Sequence, residues 1–186
     1  STELAQEVTS NGVQIHGGMG FIEETGAAQY MRDARILPIY EGTNAIQAND
    51  FMFRKTIKDN GLTAKIFLDE MIKDCKDNIQ MTNMVNLAIE TLDYILNNRD
   101  DYEKLSCISF DYMMGFGYLI GGWLMHKAKI KARLKLSNKN QNEIFLKSKI
   151  ISSDFYNLHI LPRIQSHFQI VLNGAEVIQL TNDSYI

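Results

Sequence analysis

The chain has 186 residues, enough to bury a core as one domain or as one domain with an appended piece. Its net charge of −3 gives it no overall electrostatic attraction to nucleic acid. Two prolines and twelve glycines are separated by long stretches with apolar residues at helical spacing. This pattern predicts an all-α protein.

The first sixty residues predict three helices and a turn. Residues 1–16 have helical spacing that we expect Gly12 to interrupt, and Thr25 is the expected cap of a second helix over residues 26–36, which Pro38 ends. A third helix is expected from Thr43 or Asn44 to about residue 58. The Asn60–Gly61 pair predicts a turn and the boundary between two domains, 1–60 and 61–186.

Residues 61–186 predict four helices with short connections, which is typical of a four-helix bundle. Two shorter helices come first, followed by a long one over residues 102–136 and a last one over residues 142–180 that Pro162 kinks. The apolar faces expected of these helices are Leu68, Ile72, Cys75 and Ile79; Met84, Ala88, Leu92 and Ile95; and Leu158, Leu161, Phe168, Leu172 and Ala175.

One stretch reaches the minimum length of a membrane-spanning helix. Residues 108–125 contain Asp111 as their only charge, but glycines crowd their middle, including Gly117 and Gly121 four residues apart. Such glycines let a second helix approach closely, and a helix that is apolar all round also suits the centre of a helical protein. We therefore expect a buried helix rather than a membrane span.

Charge is unevenly distributed along the chain. Residues 69–103 carry nine acidic and three basic side chains, whereas residues 127–149 carry eight basic side chains and one Glu. Three interpretations are open: a solvated face, pairing of the two segments across the bundle, or a nucleic-acid contact of the basic segment.

Cysteines and the start of the chain bear on its cellular context. Cys75 and Cys107 stand alone in apolar patterns, so we expect buried thiols in the reducing cytoplasm. The first residues are charged, helical and lack an initiator Met, from which we expect the chain to begin inside a larger polypeptide.

A glycine-rich segment follows the first predicted helix. Gly17, Gly18 and Gly20 offer backbone amides for close approach to a phosphate, with the side chain of Gln14 beside them. The alternative is a simple turn, and the segment is not a dinucleotide fingerprint because no strand precedes it. His16 is either a cofactor contact or a structural residue.

Glu41 is the carboxylate that the sequence marks as a candidate for catalysis. It is either a structural residue at the entry of a helix or a general base, for which Leu37, Ile39 and Tyr40 would supply an apolar wall. Arg32 and Asp33 are expected to form ion pairs that fix their helix. The histidines at 126, 159 and 167 share no metal-ligand spacing with carboxylates, so no metal site is expected.

The three motifs together carry a family resemblance: QIHGGMGF at 14–21, MRDARI at 31–36 and IYEGTNAIQ at 39–47. In this order and spacing they resemble the C-terminal helical domain of acyl-CoA dehydrogenases, over residues 1–58. The chain after Gly61 resembles the extra C-terminal helical domain of the longer members, notably at GYLIGGWLM, 117–125.

The resemblance implies a role for each matching position. Glu41 matches the base that removes the α-proton of an acyl-CoA thioester, and Tyr40 and Gly42 match positions against the substrate. The segment Gln14, Ile15, His16, Gly17 and Gly18 matches a loop on the pyrophosphate and adenosine of the FAD of a neighbouring subunit. Thr43, Asn44 and Ala45 match a turn that contacts FAD from the subunit of the base.

The resemblance also implies an electron-transfer flavoprotein as the electron acceptor and assembly into a homo-oligomer. This chain lacks the family's β domain and N-terminal helical domain, so we expect it to be inactive alone and not to hold FAD tightly. Two alternatives are open: a non-catalytic module for assembly, and a DNA-associating relative that uses the basic segment.

Overall fold

The computed structural model describes residues 1–137 and 142–180, and this part of the chain is helical without a β-strand, as predicted. It forms two compact units, residues 1–47 (the N-terminal unit) and the described residues from 48 onward (the C-terminal unit). The α-helices are α1 (Thr2–His16), α2 (Gly18–Phe21), α3 (Ala27–Arg35), α4 (Asn44–Asn49), α5 (Leu62–Cys75), α6 (Ile79–Asn97), α7 (Tyr102–Ser137), α8 (Glu143–Phe155), α9 (Arg163–Asn173) and α10 (Ala175–Gln179).

The N-terminal unit is built on the packing of α1 against α3. The predicted interruption at Gly12 is wrong, because α1 continues to His16. One interior glycine costs a helix only about 1 kcal/mol, which the packing on α3 offsets. The predicted cap at Thr25 is also wrong: its hydroxyl donates to the Met19 carbonyl at 2.7 Å, and left-handed Gly26, at φ 74°, precedes α3.

The helix predicted from Thr43 or Asn44 to about residue 58 is present but not uniform. It consists of α4 and a π-helical segment, Asp50–Ile57. Left-handed Asn60 and Gly61 then form the predicted turn. Ile79 is not on the face of the next helix as predicted, because α5 ends at Cys75 and Ile79 begins α6 with 77% of its surface exposed.

The C-terminal unit is a bundle of α5, α6, α7 and the α8–α9 pair, with the 36-residue α7 packed on all the others. Three glycines of α7 allow close approach: a Cβ on Gly115 would meet the Phe168 ring at 2.4 Å, and Cβ atoms on Gly121 and Gly122 would meet Tyr156 and Leu161. Gly117 does not act in this way, because no atom lies within 4 Å of its added Cβ. No helix of the described ranges is long and apolar enough to cross a bilayer.

The predicted last helix is broken into pieces. After α8 comes a π-helical segment, Tyr156–Ile160, and Pro162 stands immediately before α9. The break leaves Leu158 61% exposed, so its place in the predicted apolar face is wrong, whereas Leu161 and Phe168 are buried as predicted. The beginning of the predicted connection, residues 138–141, lies outside the described residues.

The basic and acidic segments do pair across the bundle. Lys127 on α7 lies 2.9 Å from a carboxylate oxygen of Asp74 on α5, and the Trp123 indole donates to the same oxygen at 2.8 Å. The Lys127 hydrogen bond, followed by that of Trp123, holds the pKa of Asp74 below its usual value. Cys75 is buried as predicted, and burial raises the pKa of its thiol to about 11, but Cys107 is only half-buried.

Candidate functional site

The glycine segment forms a tight, exposed turn at the end of α1. Gly17 has φ 61°, and its amide donates to the Gln14 carbonyl at 3.1 Å. A Cβ on Gly20 would lie 2.3 Å from the Val13 carbonyl oxygen, so only glycine lets α2 fold back this closely on α1. By contrast, open space surrounds Gly17 and Gly18.

Backbone donors at the start of α2 have no acceptor within their own helix. Gly18 and Met19 are its first two residues, whose amides point out of the helix end, whereas the Gly20 amide donates to the Gly17 carbonyl at 2.9 Å. Two free amides beside open, side-chain-free backbone are the donors with which a protein binds phosphate. The turn therefore fits a pyrophosphate by its donors and by its access.

His16 is held by its own helix. Its Nδ1 lies 2.9 Å from the Gly12 carbonyl oxygen. Because a carbonyl only accepts, Nδ1 is the donor of this contact. The contact of Nδ1 supports the structural interpretation of His16, although the residue itself is exposed. Gln14 and Ile15 are exposed beside it.

Glu41 has a backbone conformation that its sequence does not predict. Its φ is 55° and that of Gly42 is 92°, so two consecutive left-handed residues precede Thr43 and α4. A left-handed conformation costs a residue with a Cβ roughly 1–2 kcal/mol, and strain of this kind concentrates at functional sites. The Glu41 side chain is exposed, and its carbonyl accepts from Gln47 Nε2 at 3.3 Å.

The turn that presents Glu41 is anchored at its far side by Asn44. The Asn44 amide nitrogen Nδ2 donates to the Glu3 carboxylate at 2.6 Å and to the Thr2 hydroxyl at 2.9 Å. Thr43 Oγ1 accepts from the Ile46 amide at 3.4 Å. Tyr40, Gly42, Thr43 and Ala45 are all exposed.

Sequence reasoning missed the residues that hold this turn. Thr2 and Glu3 belong to no motif and lie 42 and 41 positions before Asn44. Gln47 ends the third motif, but the sequence suggested no role for it. Only knowledge that α1 packs beside the start of α4 would have found them. Arg32 makes the predicted ion pair, with two hydrogen bonds of 2.8 Å to Glu23 that hold the pKa of Glu23 below its usual value.

The structure does not bring the glycine turn and Glu41 together. The turn follows the last residue of α1, whereas Asn44 binds the first two residues of that helix. A helix of 15 residues at 1.5 Å per residue separates the two ends by about 21 Å. The N-terminal unit thus presents two places for chemistry, one at each end of α1.

The comparisons with known proteins cover both units. Residues 1–54 match the family model described as acyl-CoA dehydrogenase, C-terminal domain, and residues 54–180 match the one described as acetyl-CoA dehydrogenase C-terminal like.

Curated relatives align with almost the whole chain. The 3-methylmercaptopropionyl-CoA dehydrogenase of Ruegeria pomeroyi is 41% identical over 191 residues, which cover 95% of this chain and 32% of that protein. The broad-specificity linear acyl-CoA dehydrogenase FadE5 of Mycobacterium tuberculosis is 28% identical, over 91% of this chain and 31% of its own length. A butyryl-CoA dehydrogenase of Syntrophomonas wolfei is 27% identical, over 88% and 29% respectively.

The chain spans about a third of the length of these relatives. The second family model alone covers more than half of the chain, and the two models meet at residue 54. The chain belongs to the acyl-CoA dehydrogenase family and corresponds to its C-terminal helical domains.

Proposed function

We propose that this chain is the proton-abstracting part of an FAD-dependent acyl-CoA dehydrogenase that desaturates an acyl-CoA thioester between Cα and Cβ. The observation that carries the proposal is the strained, exposed Glu41 in a chain of this family. Two left-handed residues hold the carboxylate out from the start of α4, where a substrate can reach it. A purely structural carboxylate has no need of that strain.

Glu41 acts as the base. Its carboxylate takes the α-proton, so the Cα–H bond breaks and its electron pair becomes the Cα–Cβ double bond as the β-hydrogen leaves with two electrons. FAD, when bound, would supply the acceptor for that hydride, and the expected electron acceptor of the whole enzyme is an electron-transfer flavoprotein. Tyr40 and Gly42 lie against the substrate beside the reacting carbons.

The two ends of α1 have different tasks in this proposal. Gln14, Ile15, His16, Gly17 and Gly18 hold the pyrophosphate and adenosine of one FAD, with the free amides at Gly18 and Met19 as donors. Thr43, Asn44 and Ala45 contact the FAD that serves Glu41. The separation of about 21 Å supports two different flavins, which requires a homo-oligomer.

The chain alone does not turn over acyl-CoA in this proposal. Glu41 is exposed here, whereas a base for a carbon acid works in a desolvated site that also positions the substrate. The remaining two-thirds of the relatives' length would supply those walls. In this proposal residues 1–60 are the domain that carries the base, and residues 61–186 are the extra helical domain. Two observations support this division: the two family models meet at residue 54, and Asn60 and Gly61 form a turn.

A chimaera tests this proposal. The aligned third of the Ruegeria pomeroyi relative is replaced by this chain, and reduction of its FAD by that relative's named substrate, 3-methylmercaptopropionyl-CoA, is followed anaerobically. We expect reduction in the chimaera and a loss of about 10²–10⁴-fold in its rate with Glu41→Gln. Glu24→Gln, which removes an exposed carboxylate of the same unit, is the matched control.

The chimaera and the isolated chain give separate outcomes. A chimaera that binds FAD and keeps its rate with Glu41→Gln contradicts the assignment of the base. Steady reduction of an electron acceptor by the isolated 186-residue chain with FAD and an acyl-CoA contradicts its inactivity alone.

A further inference from the structure

A cavity of about 410 Å³ opens between the start of α6, the C-terminal part of α7 and the end of α8, entirely within the C-terminal unit. This volume lies in the range of small-molecule sites, about 300–1,000 Å³. One face of α7 lines it with His126, Lys129, Ile130 and Arg133 at helical spacing. The chemistry proposed for Glu41 uses none of these side chains.

Some of the charged side chains around the cavity have an ion-pair partner and others do not. Lys129 donates to Asp154, so these two charges neutralise each other at the cavity wall. Arg133 forms no ion pair with any residue that the structure describes, and neither does Asp77 on the opposite wall. The cavity therefore holds one free guanidinium, with a planar set of N–H donors suited to a carboxylate, and one free carboxylate that repels surplus negative charge.

The start of α6 adds donors to the same cavity. Asn78 caps this 19-residue helix: its side chain accepts from the Met81 amide at 3.2 Å and its carbonyl from the Thr82 amide at 2.9 Å. Ile79 and Gln80 are the first two residues of α6, so their amides have no acceptor within the helix. They lie at the positive end of the helix dipole, where an anion is stabilised.

Ser153 and His126 are among the other polar residues that line the cavity. Ser153 is buried, with 5% of its surface exposed, and its hydroxyl is a donor or an acceptor. The Nε2 atom of His126 is buried without a hydrogen-bond partner among the described residues. No hydrogen bond therefore holds the His126 ring at Nε2. If the ring turned toward an oxygen of a bound ligand, Nε2 would gain the hydrogen bond that it lacks, and a buried polar atom is costly to leave unpaired.

Apolar surface completes the lining. Ile79 is 77% exposed and Ile130 is 41% exposed, and both border the cavity. We propose that this cavity binds a small monocarboxylate with an apolar tail, its carboxylate between Arg133 and the free amides of α6 and its tail on Ile79 and Ile130. The free carboxylate of Asp77 selects a monoanion over a dianion such as a phosphate monoester, because each added negative charge is repelled at short range.

The test is a titration of the ¹⁵N-labelled 186-residue chain with sodium hexanoate at constant ionic strength, followed by NMR. We expect saturable shifts of the Ile79 and Gln80 amide signals. Arg133→Gln should raise the Kd about tenfold or more, because a charge-assisted hydrogen bond is lost. Lys131→Gln removes an exposed cation of α7 outside the cavity and should change the Kd less than about twofold, as for an ordinary surface substitution.

Three results overturn the proposal. The first is a linear, unsaturated response to hexanoate, such as sodium chloride alone gives. The second is an equal effect of the two substitutions, which would mean general screening. The third is binding of hexanol or inorganic phosphate as tight as that of hexanoate, which would contradict the selection of a carboxylate monoanion. Because Arg133 is exposed, its substitution leaves the bundle core intact, and circular dichroism checks this.

Discussion

Two glycines of one helix, only two residues apart, should respond in opposite ways to the same substitution. A Cβ on Gly115 would lie 2.4, 2.7 and 2.9 Å from three atoms of the Phe168 ring, and that ring is fully buried. A Cβ on Gly117 meets no atom within 4 Å. We predict that Gly115→Ala destabilises the C-terminal unit and that Gly117→Ala stabilises it.

The magnitudes follow from helix propensity and packing. Replacing an interior helical glycine by alanine gains about 1 kcal/mol in the free energy of unfolding, and at Gly117 nothing opposes that gain. At Gly115 the same gain is opposed by overpacking, which costs about 1–3 kcal/mol and here falls at the upper end because three ring atoms lie closer than 3.0 Å. The two variants should therefore differ by about 2–3 kcal/mol.

Urea denaturation followed by circular dichroism measures this difference. With slopes of about 1–3 kcal/mol per molar urea, the midpoints of the two variants should lie about 1 M apart. Phe168→Leu removes the ring, so Gly115→Ala should cost less in that background than in the wild type. The reasoning is refuted if Gly115→Ala is as stable as Gly117→Ala, or if Phe168→Leu leaves the cost of Gly115→Ala unchanged.

Three further predictions concern single groups. Lys127 and Trp123 hydrogen-bond to Asp74 and lower the pKa of its carboxyl in the folded protein. The stability that the Asp74 carboxylate provides is therefore present above its unfolded-state pKa of about 3.9 and is lost as the pH falls through its lower pKa in the folded state. The fluorescence of Trp123, the single tryptophan, should report this acid transition, and Asp74→Asn should abolish it. At pH 8 a disulfide reagent should label Cys107 well before Cys75, whose raised pKa and burial keep it a thiol; equal rates would contradict this. Glu41→Gly should raise the free energy of unfolding by about 0.5–1 kcal/mol, because relief of the left-handed strain outweighs the greater freedom of glycine in the unfolded chain. Glu41→Gln keeps the strain and should leave the free energy of unfolding unchanged. A loss of stability with Glu41→Gly would contradict the strain argument.

Long periodic helices were predictable from the sequence. The 19 and 36 residues of α6 and α7 repeat apolar positions over many turns, so one misplaced residue does not alter the pattern. Short-range signals were less reliable. Ile79 continued the spacing of the preceding helix, but the helix had ended and the residue was exposed. The sequence predicted a close approach of another helix at both Gly117 and Gly121, but of these two only Gly121 lies against one.

The residue types of the candidate site were predictable, but its geometry was not. Glycines and a carboxylate stand out in any sequence, and the family resemblance gave Glu41 a role to test. Its left-handed backbone has no local signal, because glutamate does not favour that conformation. The contacts of Asn44 with Thr2 and Glu3 join residues more than 40 positions apart, which only tertiary packing brings together.

The central claim is that Glu41 removes the α-proton of an acyl-CoA, and hydrogen exchange tests it most directly. The chimaera with the Ruegeria pomeroyi relative is incubated in deuterium oxide with an acyl-CoA whose Cβ bears no hydrogen, so that desaturation is impossible, and deuterium at Cα is measured by NMR. We predict exchange in the chimaera and in its Glu24→Gln variant, and loss of exchange with Glu41→Gln while FAD stays bound. Undiminished exchange with Glu41→Gln would contradict the account.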